Sequence, residues 1–193
     1  MKLNKILILF ATVLILSGCN KDFLETRPTG SIATGNVFTT TENAMAALNG
    51  VHRSMYIQYY DNQDQGGQSA NMIYMEVLGD DFVFTDDNVW FRGSYRWEDH
   101  RNAANKIPYF NYRFYYTIIA NVNNIIDNVD GVEGPQVTKN MIKGEALTYR
   151  AWSMFQMIQL YGKRFDKNSS NDTPGIPLIN SSTDLSPKPR ASV

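Results

Sequence analysis

Apolar positions recur at three- and four-residue steps in separate stretches of the chain, the spacing of one helical face. Ala44, Ala47, Leu48, Val51 and Met55 predict a helix over about 40–60, opened by Thr39 and Glu42 at capping-box spacing and weakened slightly by Gly50. Polar residues 61–68 predict a loop, and a shorter helix is expected from about Ala70 to Leu78. Residues 79–106 carry acidic and aromatic side chains with no helical period, so a long irregular segment is expected there. Ordered segments of that length tend to carry function.

The strongest stripe comes next: Tyr115, Ile118, Ile119, Val122, Ile125, Ile126 and Val129, with Asn121, Asn123, Asn124 and Asp127 on the remaining surface. Gly131 and Gly134-Pro135 end that helix. A partner over about 137–161 carries Met141, Ala146, Tyr149, Trp152, Phe155 and Ile158, stops at Gly162, and has small Gly144, Ala146 and Ala151 to admit a close neighbour. Two long amphipathic helices with a short break predict an antiparallel αα-hairpin. Beyond Lys163 the chain is polar and Pro-bearing, and Gly175 to Ile179 is expected to run extended at an edge. Ser192 stands where a helix N-cap could begin. A hairpin with no next neighbour leaves apolar surface uncovered, because repeat-type helices are stabilised by stacking. The chain is therefore expected to be a fragment of a longer protein.

Composition narrows the classes. With 43% hydrophobic and 19% charged residues the 193-residue chain is globular rather than disordered. Its 18 basic and 19 acidic residues give no broad basic field, which argues against nucleic acid as a partner. One cysteine makes no internal disulfide and no Cys-rich zinc site. Neither His52 nor His100 has a His or Cys at ligand spacing, so no cofactor or metal is expected. Asp61, Asp64 and Gly66 lack the alternating carboxylates of a calcium loop and predict a solvated one. Adjacent acids such as Asp80-Asp81 diverge and do not make a glycosidase pair. Nothing suggests a nucleophile elbow or a phosphate loop.

The N-terminus explains the cysteine. Lys2 and Lys5 precede Ile6 to Leu16, an uncharged apolar run that as a helix would rise roughly 16 Å, too short to cross a bilayer. A basic start and a short apolar run make an export signal. It ends in Leu16-Ser17-Gly18-Cys19, which resembles a bacterial lipobox, whose cysteine is lipidated and becomes the first mature residue. Acyl chains contribute about 0.8 kcal/mol per buried CH₂, enough in combination for stable anchoring. The expected organisation is a signal peptide over 1–18, a lipidated tether over 19–38 and a helical domain over 39–193. Removing 1–18 takes Lys2 and Lys5 away and leaves an acidic body.

Several motifs then stand in order: Cys19 followed by Phe23-Leu24-Glu25 and Pro28; Phe38-Thr39-Thr40 before Ala46-Ala47-Leu48-Asn49-Gly50-Val51; Ile118-Ile119-Ala120-Asn121-Val122-Asn123; and Gly144-Glu145-Ala146 through Tyr149-Arg150-Ala151. Leu160-Tyr161-Gly162, Gly175-Ile176-Pro177-Leu178 and Pro189-Arg190-Ala191-Ser192-Val193 complete the set. In this order the chain resembles the N-terminal part of the SusD/RagB family of nutrient-uptake outer-membrane lipoproteins. The resemblance implies a mainly α fold of tetratricopeptide-like helix pairs with irregular ligand-facing loops. It implies a non-enzymatic surface lipoprotein that captures an oligosaccharide or a peptide for a SusC-like TonB-dependent β-barrel. It also makes Glu145 and Arg150 scaffold positions.

Candidate ligand-binding residues are Trp90, Arg92, Tyr95 and Trp97, with Arg96 and Asp86 or Asp87 nearby. Flat rings suit the CH faces of sugars, and guanidinium or carboxylate groups suit hydroxyls. The structural alternative packs these rings against the helical body, as tryptophan usually is. A helical envelope scaffold without a nutrient ligand is the competing function.

Overall fold

The computed structural model describes residues 37–59, 62–85 and 90–193. Cys19, the signal segment and the tether up to residue 36 lie outside the described residues, as do Asp61, Asp86 and Asp87. The described chain is mainly helical. Helix α1 spans Thr41–Ser54, α2 Gly67–Val77, the single turn α3 Arg92–Tyr95, α4 Lys106–Asn128 and α5 Gln136–Tyr161.

Helices α4 and α5 form the expected antiparallel hairpin. Tyr161 at the end of α5 donates its hydroxyl to Pro108 O at the start of α4 (2.6 Å), and at the opposite end Lys143 pairs with Asp130. A 3₁₀ turn, Val129–Gly131, and Gly134 make the corner. Gly134 has φ 135°, and a Cβ there would sit 2.3 Å from Thr41 Oγ1. Only glycine fits that approach. It lets Glu133 exchange backbone hydrogen bonds with Thr39 and Thr41, both 2.8 Å, and so pins the start of α1 to the hairpin corner.

The main core gathers Ala44, Leu48 and Val51 of α1, residues of α4 from Phe110 to Ile125, Val129 and Val132 of the corner, and Ile142, Ala146 and Met157 of α5, with Ile176 from the tail. A satellite cluster of Ala70, Tyr74, Val77, Phe91 and Ile107 lies under residues 90–106.

Several expectations need correction. The cap of α1 is Thr40, whose Oγ1 accepts from Asn43 N (3.3 Å), while Thr39 Oγ1 accepts from the Asn43 side chain (3.0 Å). That helix ends at Ser54 rather than near 60. Helix α4 begins at Lys106, well before Tyr115. Of the small residues on α5, only Ala146 is buried in the core; Gly144 and Ala151 are not. Met141 and Phe155 are exposed, at 54% and 58%, so the apolar residues of α5 occupy two faces.

Asn123, expected at the surface, is fully buried. Its amide donates to Ile179 O (2.9 Å) and its Oδ1 accepts from Arg150 Nη1 (3.1 Å), which also donates to Asn180 O (2.9 Å). These bonds satisfy a group that would otherwise be costly to bury and clamp the tail across the hairpin. Glu145 instead approaches His52, Oε1 to Nε2 2.8 Å. The two scaffold residues thus serve different neighbours. The tail forms no strand among the described residues; an isolated antiparallel bridge joins Pro174 to Ser192.

Candidate functional site

Phe91 anchors the aromatic segment. Its ring is buried in the satellite core with residues of α2 and the start of α4. The stretch from Arg92 to Asn105 is held by polar contacts around one carboxylate. Asp99 Oδ2 accepts from the buried Ser94 hydroxyl (2.6 Å), and its Oδ1 accepts from the Asn105 amide (2.8 Å). Asn105 is also the N-cap of α4, its Oδ1 accepting from Ile107 N (3.0 Å). Gly93 completes the arrangement, because a Cβ there would lie 2.3 Å from Asp99 Oδ1. The segment expected to be irregular is thus a tied knot containing α3 and a 3₁₀ turn, Asp99–Arg101.

Helix α3 ends in a Schellman motif: Glu98 N donates to Gly93 O (2.8 Å) and Trp97 N to Ser94 O (2.9 Å). The left-handed residue of that motif is usually glycine. Here it is Trp97, with φ 60°. A bulky side chain in this region is strained by about 1–3 kcal/mol, and such strain concentrates at functional positions. Trp97 remains 49% exposed, with His100 edge-on to its ring at 5.3 Å.

Trp90 is 48% exposed. Lys106 Nζ lies 5.6 Å from its ring centroid, a cation–π contact, while also pairing with Asp64 Oδ2 at 2.5 Å. Asp64 is buried, which corrects the solvated loop expected there: the carboxylate is taken out of water against the lysine. The half-buried Tyr95 packs edge-to-face on Phe84 (4.9 Å), and Arg92 is half-buried. The four residues singled out in the sequence therefore share one tied segment. The two indoles project from it and Tyr95 helps to pack it. In the satellite core beneath, Tyr74 is held above its usual pKa, first by burial and then by the charge of Asp99.

Sequence reasoning misses Asp99, Asp64 and Lys106, which hold the segment in place. No periodicity marks them; the one local sign is the Asp99, Asn102, Asn105 series, residues that favour local side-chain to backbone bonds. Among the described residues no group of three His, Cys, Asp or Glu stands close enough to hold a metal ion, and no helix is long and apolar enough to cross a membrane.

Next to the helical hairpin, then, stands a loop tied around Asp99 that carries two half-exposed indoles. Comparison with known proteins gives the family. A SusD-like model described as starch-binding and associating with the outer membrane matches residues 22–193, and the chain belongs to that family. Among solved structures it is similar to a SusD-like carbohydrate-binding protein from Bacteroides vulgatus, with 25% identity and a TM-score of 0.67, covering 80% of this chain and 32% of that one. It is also similar in fold to a SusD superfamily protein from Bacteroides thetaiotaomicron, with 23% identity and a TM-score of 0.64, covering 80% and 33%. The chain thus spans about a third of the length of these solved relatives. Comparison with curated proteins finds no match.

Proposed function

We propose that this protein is a surface-anchored, non-enzymatic lipoprotein that captures an oligosaccharide through Trp90 and Trp97 and delivers it to a SusC-like TonB-dependent β-barrel. Cys19 carries the lipid anchor and holds the body at the outer face of the outer membrane. The observation that carries the ligand assignment is Trp97, an exposed indole kept at a strained left-handed position in a knot that Asp99 holds rigid. Such a ring is pre-organised, so binding orders little new structure. Its face covers the CH patch of a sugar ring. Arg92, with its rigid fork of N–H donors, serves sugar hydroxyls.

Family membership supports glycan over peptide, since the family description names starch and one solved relative is described as carbohydrate-binding. The test is affinity electrophoresis and calorimetry with soluble starch, maltoheptaose and other soluble plant and host glycans. Trp90→Ala and Trp97→Ala are each expected to weaken binding by roughly tenfold. Trp97→Gly gives the sharper result. It relieves the left-handed strain, so Tm should hold or rise while affinity falls. Unchanged affinity in all three variants would refute the assignment.

One observation favours a second reading, a helical envelope scaffold. Helix α5 exposes Val137 (81%), Met141 and Phe155 along its length, a surface suited to another helix. A scaffold of this kind binds no glycan in the same titration.

A further inference from the structure

Helix α4 carries a second aromatic surface, on its N-terminal half, that the sequence pattern does not mark. Tyr109 and Tyr112 are 58% and 40% exposed, and Tyr116 is half-buried behind them. Residues at these three- and four-residue steps neighbour one another on the helix surface. Lys106, one turn before Tyr109, is the residue that reaches the Trp90 ring. The row thus begins beside the indole and continues along about 15 Å of helix to Tyr116.

It ends at a cavity of about 200 Å³ lined by Tyr112, Tyr161, Gly175, Ile176, Pro177 and Arg190. The cavity walls are held in place. Tyr112 packs against Tyr116 (4.6 Å) and edge-to-face against Tyr161 (5.5 Å). The Tyr116 and Tyr161 hydroxyls donate to Pro177 O (2.7 Å) and Pro108 O (2.6 Å), which fixes both rings against the backbone. Arg190 Nε donates to Gly175 O (2.5 Å), and its Nη2 donates to Pro174 O (2.9 Å) and to Tyr161 O. Those bonds use three of the five N–H donors of the guanidinium. Its Nη1 makes none of these three bonds.

We propose that this tyrosine row and its terminal cavity form a second subsite for the same oligosaccharide, with a pyranose unit stacked on Tyr112 and a hydroxyl taken by Arg190 Nη1. A ring platform and an apolar wall, with a guanidinium among the lining residues, suit a sugar ring, which has a hydrophobic face and a hydrophilic rim. The ligand is then an extended chain several units long, engaged at Trp90 and again further along α4. Linking two weak subsites in one ligand raises affinity with chain length. The inference rests on the glycan-binding reading above.

The experiment titrates the protein with maltose and maltoheptaose, and in parallel with short and long oligomers of whichever glycan retards it in affinity gels. Tyr112→Ala and Tyr109→Ala are expected to weaken the long oligomer by roughly five- to tenfold while leaving the short one unchanged. Tyr112→Phe keeps the ring and should bind like the unaltered protein, which separates stacking from a merely structural role. Thermal melting checks that each variant is folded. Equal affinity of Tyr112→Ala for the long oligomer, with Trp90→Ala still impaired, would overturn the second subsite and leave the first intact. Failure of the unaltered protein to bind any of these glycans would overturn both.

Discussion

The α4–α5 hairpin and the knot at 90–106 are neighbours joined at Asn105, yet they are held by different physics. The hairpin is stabilised by area: Phe114, Tyr115, Ile118, Ile119, Val122, Ile125, Ile142 and Met157 are all essentially inaccessible to water. Each such side chain contributes on the order of 2 kcal/mol when fully buried, and the contributions are spread over many contacts. The knot buries one ring, Phe91, and relies otherwise on Asp99, Ser94, Asn105 and the space left by Gly93. A few directional bonds can hold indoles in the open and one backbone position under strain. A hydrophobic core would have drawn those rings inward. This difference separates what keeps the protein folded from what presents the indoles to the proposed ligand.

The largest expected effect comes from breaking the first side of the contrast. Ile118→Ala removes a side chain only 1% exposed from the middle of α4 and should cost about 2–5 kcal/mol. The loss should show as a lower Tm and denaturant midpoint for the whole molecule. Variant protein that remains folded should bind glycan normally. Loss of affinity in that folded fraction would mean that the core sets the binding geometry directly.

Asp99→Ala attacks the other side with a smaller global cost. It leaves the buried Ser94 hydroxyl without an acceptor, a penalty of roughly 1–3 kcal/mol, and frees Asn105 from the knot. The far-ultraviolet helical signal should be nearly unchanged while glycan affinity falls at least as far as in Trp97→Ala. Gly93→Val, which drives a side chain into the Asp99 carboxylate, should give the same result. Full affinity in both variants would show that the indoles need no support from beneath.

The same contrast governs what can be read from the sequence. The hairpin is legible because its helices carry 3.6-residue periodicity, and Gly131, Gly134-Pro135 and Gly162 mark their ends. The first half of α4 is not, since buried Asn111 and exposed Tyr109 and Tyr112 interrupt the stripe that Phe110 and Phe114 would extend. Asn123 reads as surface because asparagine usually is. Its partners, Arg150 and Ile179, lie 27 and 56 positions away, beyond any local pattern. The cap shifts by one residue within a run of three threonines, where Thr40 has the extended backbone and the bond to Asn43 N. At the candidate site the residue types are legible, and flat rings with arginines in an aperiodic stretch mark the segment. The device that presents them is not, because Asp99, Gly93 and the left-handed Trp97 leave no periodic trace.

The smallest expected effect tests whether polar tacks like Asp99 are a general device in this fold. Asp127, on the exposed side of α4, fastens the tail in the same manner: its Oδ2 accepts from Ser182 N (2.7 Å), Ser182 Oγ (2.8 Å) and Ser181 Oγ (2.9 Å). Partial burial pushes its pKa up, but the hydrogen bonds from Ser182 and Ser181 and the charge of Arg150 outweigh that and hold it below its ordinary 3.8. A carboxylate lowered on folding contributes stability above its unfolded pKa and loses it as pH falls through the folded value. Acid should therefore release residues 181–183 from α4 at a pH below 3.8 while the hairpin persists. Hydrogen-exchange protection at Ser182 N, measured above and below that pH, should fall on acidification while protection in the middle of α4 does not. Asp127→Asn, which cannot ionise, should lose the pH dependence and show weaker protection throughout. If protection at Ser182 and in α4 declines together, the tail is held by Ile176 in the core, and Asp127 adds nothing to its attachment.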